Sequence, residues 1–138
     1  MPVDGQWGAV VAARYEFTVT SSNDGVSDAR RKLASWLELH GEDLQGWMLI
    51  ATELITNAIA VADSPVHVEI EMDGDEVILT VTDDGPGFRL GTAEMPGPEA
   101  PRGRGLAIVA KLTSSLSATR VGDRTLMRCS RTAARARP

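Results

Sequence analysis

A chain of 138 residues is the length of one domain with room for a real core, and 43% hydrophobic with 24% charged residues is an ordinary globular balance that excludes disorder throughout. A formal net charge of −5, with Lys and Arg dispersed except at the C-terminus, argues against nucleic acid as the main partner, because phosphate binding wants a basic stripe. The single Cys129 rules out an intramolecular disulfide, no Cys/His cluster has zinc-ligand spacing, and a reducing cytoplasm is the expected compartment.

Residues 1–14 read as a loose arm, rich in Gly and Ala and without sustained period. With acidic Asp4 and no long apolar run after a basic start, they are expected to be neither a signal peptide nor a membrane anchor. No window approaches the roughly 20 apolar residues that a bilayer span needs. The alternation YEFTVT from Tyr15 to Thr20 predicts a strand, and SSND then supplies cap and turn residues ahead of a helix. Val26, Ala29, Leu33, Trp36 and Leu37 recur at helical spacing toward His40, and Gly41 is the stop. Asp43 then caps a second helix that ends near Ala62.

The second helix contains TELITNAIAVAD from Thr52 to Asp63. At about 100° per residue, Trp47, Ala51, Leu54, Ala58 and Ala62 fall in one arc, while Glu53, Asn57 and Ala60 form a separate stripe. Glu53 and Asn57 are one turn apart on one face. A solvated stripe is the plain alternative, but a mid-helix Asn costs several tenths of a kcal/mol relative to Ala, because its amide competes with the backbone. Ligation of a hard cation by that amide carbonyl would offset the cost, with Glu53 close enough to orient or deprotonate a nucleophile.

Val66 to Met72 and Val77 to Thr82 alternate on either side of Asp73-Gly74-Asp75-Glu76, which predicts a hairpin. The second of these strands runs into Asp83-Asp84-Gly85-Pro86-Gly87-Phe88, where two glycines permit close backbone approach. The Pro- and Gly-rich run from Arg89 to Arg102 has no core pattern and reads as a mobile, lid-like loop. It ends at Gly103-Arg104-Gly105, which opens the apolar helical run LAIVAKL and so offers helix N-terminal N–H groups to an anion. LSATRV and TLMRCS read as two strands around Gly122-Asp123-Arg124, and residues 132–138 as a basic tail that frays. The chain has neither GxxxxGK[ST] nor GxGxxG, no protein-kinase catalytic loop and no serine elbow. His40 and His67 are its only histidines, and each reads as a surface or core residue.

The fixed order of Glu53 and Asn57 on a helix, Asp83-x-Gly85-x-Gly87 at a strand end and Gly103-x-Gly105 opening a helix resembles the Bergerat-fold ATP-binding domain. That domain is shared by DNA gyrase, the ninety-kilodalton heat-shock chaperone, histidine kinases and mismatch-repair ATPases. The resemblance spans residues 15–131, and in its short form it is similar to the stand-alone bacterial anti-sigma factor serine kinases. It implies an α/β two-layer sandwich with a mixed, mostly antiparallel sheet, covered on one face by about three helices. It implies ATP and Mg²⁺ as ligands. Glu53 would be the general base and Asn57 the Mg²⁺ ligand. Asp83 would accept the adenine amino group, Gly85 and Gly87 would let the chain pass under the base, and Gly103, Arg104 and Gly105 would face the phosphates. Thr125 matches the family's hydroxyl near the adenine-binding Asp.

The function implied is a serine/threonine-protein kinase in the bacterial cytoplasm that phosphorylates an anti-sigma antagonist and sequesters a sigma factor. Neither membrane nor direct nucleic-acid contact is implied, and a homodimer is left open. Relatives carry a basic residue and then His or Tyr just after the Asn-Ala pair, where this chain has Ala60 and Val61. That departure keeps a non-catalytic ATP/ADP-sensing module as the alternative. The detached half of a histidine kinase is disfavoured, since no phosphoacceptor His lies in a dimerisation helix.

Overall fold

The computed structural model describes residues 14–85 and 101–137. The expected arm and most of the expected lid, with Gly87, lie outside them. Strand β1 is Arg14–Val19. Helix α1, Asn23–Leu39, starts on Ser22, whose Oγ accepts from the Gly25 N–H at 3.0 Å. It stops where Gly41 takes a left-handed φ of +69°, a conformation cheap only for glycine. Helix α2, Leu44–Val61, is capped by Asp43, which accepts from the Gly46 N–H at 3.2 Å.

The hairpin strands β2, Val66–Asp73, and β3, Glu76–Asp83, turn at Gly74, with φ +62°. Helix α3 is Pro101–Leu112, and strands β4, Ser115–Val121, and β5, Arg124–Thr132, form the closing hairpin. The sheet order is β1-β2-β3-β5-β4, and all four pairings are antiparallel. Three helices pack against this five-stranded sheet, as the α/β sandwich expectation required.

The two faces of the sheet divide by alternation. Val68, Ile70, Leu79, Val81, Met127 and Cys129 are buried under the helices with Leu33, Leu37, Trp47, Leu54 and Val109. The opposite face is polar: Glu16, Glu69, Thr80 and Arg128 sit side by side across four strands. Arg14 pairs there with Glu69, and Glu16 lies 3.0 Å from His67 Nε2. Helix α2 alone has the length and apolarity to cross a bilayer among the described helices, with a mean hydropathy of 1.3. That apolarity is explained by its place in the core, where Trp47, Ile50, Ala51, Leu54, Ile55 and Ala58 are buried.

Two expectations about ends are corrected. The last helix begins at Pro101, two residues before the expected opening at Gly103, because proline needs no N–H partner in a first turn and its fixed φ suits one. The tail does not fray from Ala133. The Ala133 side chain is small enough to be fully buried, and its N–H donates to Asp75 O at 2.7 Å. The Ala134 N–H donates to the buried Glu42 carboxylate at 2.9 Å, and a 3-10 turn over Ala134–Ala136 follows.

Candidate functional site

The two polar groups of α2 point away from its core arc in different surroundings. Asn57 is buried, at 8% exposure, whereas Glu53 is half-buried. Its carboxylate lies directly against Gly105 of α3, so closely that a Cβ on Gly105 would overlap it. The glycine is therefore what lets the turn of α3 approach a carboxylate on α2. Pro101, Arg102, Gly103 and Arg104 form the first turn of α3, whose free N–H groups and dipole favour an anion. Gly103 belongs to that turn; Gly105 lies one residue beyond it and makes room for Glu53.

At the far end of β3 stand two adjacent carboxylates. Asp83 is buried at 4% exposure, and its Oδ1 accepts from the Gly85 N–H at 2.7 Å. Asp84 turns the other way and receives the Asp63 N–H at 2.8 Å and the Ser64 hydroxyl at 2.7 Å. These donors, the Ser64 hydroxyl foremost, hold its carboxyl below the usual carboxylate range. Asp84 thus pins the exit of β3 to the exit of α2. Gly85 is packed on α2 as well: a Cβ there would come 2.5 Å from Val61 Cγ2 and 2.8 Å from the Val61 carbonyl.

Thr125 of β5 is the register partner of Asp83 and is 2% exposed. Its own partner on β4 is Arg120, whose Nη1 donates to Thr125 Oγ1 at 2.7 Å and to the Gly85 carbonyl. Sequence reading did not single out Arg120 or the work of Asp84. Among the described residues no group of three His, Cys, Asp or Glu side chains could surround a metal ion.

One antiparallel sandwich thus carries a buried carboxylate at a strand end and a glycine-spaced helix start, suited to an anion, against a second carboxylate. The family model of the histidine kinase-like ATPase domain matches residues 19–130, and the chain belongs to that family. No curated protein sequence matches the chain. Among solved structures, the fold is similar to the RsbU and RsbW domains of Rv1364c from Mycobacterium tuberculosis. There the TM-score is 0.66 at 18% identity, over 86% of this chain and 32% of that one. The match therefore spans about a third of the length of that solved chain. It is similar over 94% of its length, and 96% of the other chain, to the SiaB-SiaC complex from Pseudomonas aeruginosa, with TM-score 0.62 and 13% identity. The histidine kinase AdeS of Acinetobacter baumannii matches 87% of this chain over 68% of its own, with TM-score 0.58 and 12% identity.

Proposed function

We propose that this domain is a cytoplasmic ATP-dependent serine/threonine-protein kinase of the anti-sigma type, which phosphorylates a small antagonist protein and sequesters a sigma factor. The observation that carries the reading is the Glu53 carboxylate seated against Gly105, beside a helix start suited to phosphate. ATP with Mg²⁺ supplies the phosphoryl group and the charge neutralisation that its transfer needs. The residues supply position. Asp83 and Thr125 hold the base end, Gly85 brings the chain close, and Gly103 with Arg104 faces the phosphates. Asn57 would offer its amide carbonyl to the metal. Glu53 would take the proton of the acceptor hydroxyl as that oxygen bonds to the γ-phosphorus and the bond from the γ-phosphorus to the bridging oxygen breaks, with ADP as the leaving group. A neighbour described as a two-protein complex agrees with regulation through a partner.

Incubating the protein with labelled ATP and candidate antagonists tests the reading. Glu53→Ala should retain ATP binding and lose transfer by about two to four decades, the usual cost of removing a positioned base. Ala60 and Val61 favour a second reading, an ATP/ADP-sensing module without transfer. Wild-type protein that binds ATP and labels no partner would select it.

A further inference from the structure

Arg120 is the cation that the candidate site leaves unexplained. It stands on an edge strand and makes no ion pair among the described residues, yet its Nη1 is committed to two acceptors at once. One is the Gly85 carbonyl and the other is Thr125 Oγ1, at 2.7 Å. Asp83, Thr125 and Arg120 form one rung across β3, β5 and β4, with Thr125 in the middle. A guanidinium has five donors and no acceptor, so the Thr125 hydroxyl can only accept from it. The hydroxyl proton then points elsewhere than at Arg120. Among the described residues the bond from Arg120 is the side-chain hydrogen bond of the Thr125 hydroxyl.

We infer that Arg120 is a positioning residue that sets nucleotide-base specificity, by fixing Thr125 as a donor beside the acceptor Asp83. This rests on the ATP-site reading. An acceptor next to a donor complements a 6-aminopurine, which offers the amino N–H beside the N1 lone pair. A 6-oxopurine presents the reverse order, an oxygen beside an N1–H, and meets like against like at both positions. A threonine with both lone pairs open could readily reverse its role and accept; one already accepting from a cation has a single lone pair left for that, which biases it toward donating. The same guanidinium holds the Gly85 carbonyl, while the Gly85 N–H is held by Asp83, so both halves of the edge share one anchor.

The experiment is calorimetric binding of ATP and of ITP, which exchanges the 6-amino group for a 6-oxo group, to the wild-type chain and to Arg120→Met, Arg120→Lys and Thr125→Val. Wild type should prefer ATP. Arg120→Met should lower ATP affinity about tenfold, the scale of one charge-assisted hydrogen bond, and leave ITP affinity unchanged, so that the preference collapses by about that factor. Arg120→Lys, which keeps a charged donor, should recover most of it. In the Thr125→Val background, Arg120→Met should cost nothing further, because the effect passes through the hydroxyl. Equal losses for both nucleotides in the Met and Lys variants, or additive losses in the double variant, would overturn the inference and leave the ATP site standing. Wild-type protein that binds neither nucleotide would overturn the ATP-site reading itself.

Discussion

Asp83 and Asp84 are chemically identical neighbours, and the backbone alternation of β3 sends one inward and one outward. Asp84 is held by Asp63 and Ser64, whereas Asp83, opposite Thr125, is the carboxylate proposed to meet the base. Asp83→Ala should therefore cost about one to two decades of ATP affinity, since a charged hydrogen bond is worth about 1.5 to 3 kcal/mol; isothermal calorimetry measures it, and an unchanged Kd would mean the base binds elsewhere. Cys129 offers a second test at this scale. Burial pushes its thiol from an ordinary 9.0 up to about 12. The protonated thiol is the form the fold holds, so its contribution to stability is complete below pH 9 and is lost as pH rises from there toward about 12. Iodoacetamide at pH 8 should leave native protein unmodified and label it fully in urea, while Cys129→Ala should flatten the alkaline loss of stability. Of the proposed site residues, Glu53, Asn57 and Asp83 could be named from the sequence because each lies in a short local pattern. Arg120 was not: its meaning depends on strand register, which places it beside Thr125 across a hairpin and near Gly85 thirty-five positions away.

At the scale of elements, caps and turns were the most legible features, since Ser22, Asp43, Gly41, Gly74 and Gly122 act within a few residues of themselves. The helix start at Pro101 and the docked C-terminus were not, because both depend on partners distant in the chain. The C-terminus is held by a buried carboxylate at the start of α2: Glu42 accepts from the Ala134 N–H, and Asp43 from Arg131, whose guanidinium also lies 5.5 Å from the Trp47 ring centre. Ending the chain at Thr132 would strip Glu42 of that donor. A buried acceptor left unmade costs about 1 to 3 kcal/mol, so the truncated chain should denature at lower urea than the full chain. Glu42→Gln keeps the acceptor and should lose less than Glu42→Ala. Coincident urea midpoints for truncated and full-length protein would mean that the C-terminus contributes nothing to the fold.

On the scale of the whole molecule, the candidate site is distributed: α2 carries Glu53 and Asn57, β3 carries Asp83, α3 carries Gly103, and the β4–β5 hairpin carries Arg120 and Thr125. No single element holds enough of it to bind alone, so a ligand there draws helices and sheet together. Ligand that binds only the folded chain stabilises it by about 2.7 kcal/mol at a hundredfold excess over Kd, and a ligand spanning these elements should raise the thermal midpoint of the entire domain in one transition. The three site variants should then separate. Glu53→Ala should keep the full ATP·Mg²⁺ shift, because a base that acts on the attacking hydroxyl adds little to ground-state binding. Asp83→Ala should lose the shift with or without metal. Asn57→Ala should lose only the increment that Mg²⁺ adds, since its carbonyl serves the cation. Differential scanning fluorimetry in ATP, with Mg²⁺ or with EDTA, reads all three. A Glu53→Ala protein that no longer responds to ATP would make Glu53 part of the binding surface instead of the base, and the proton acceptor would have to be sought on another element.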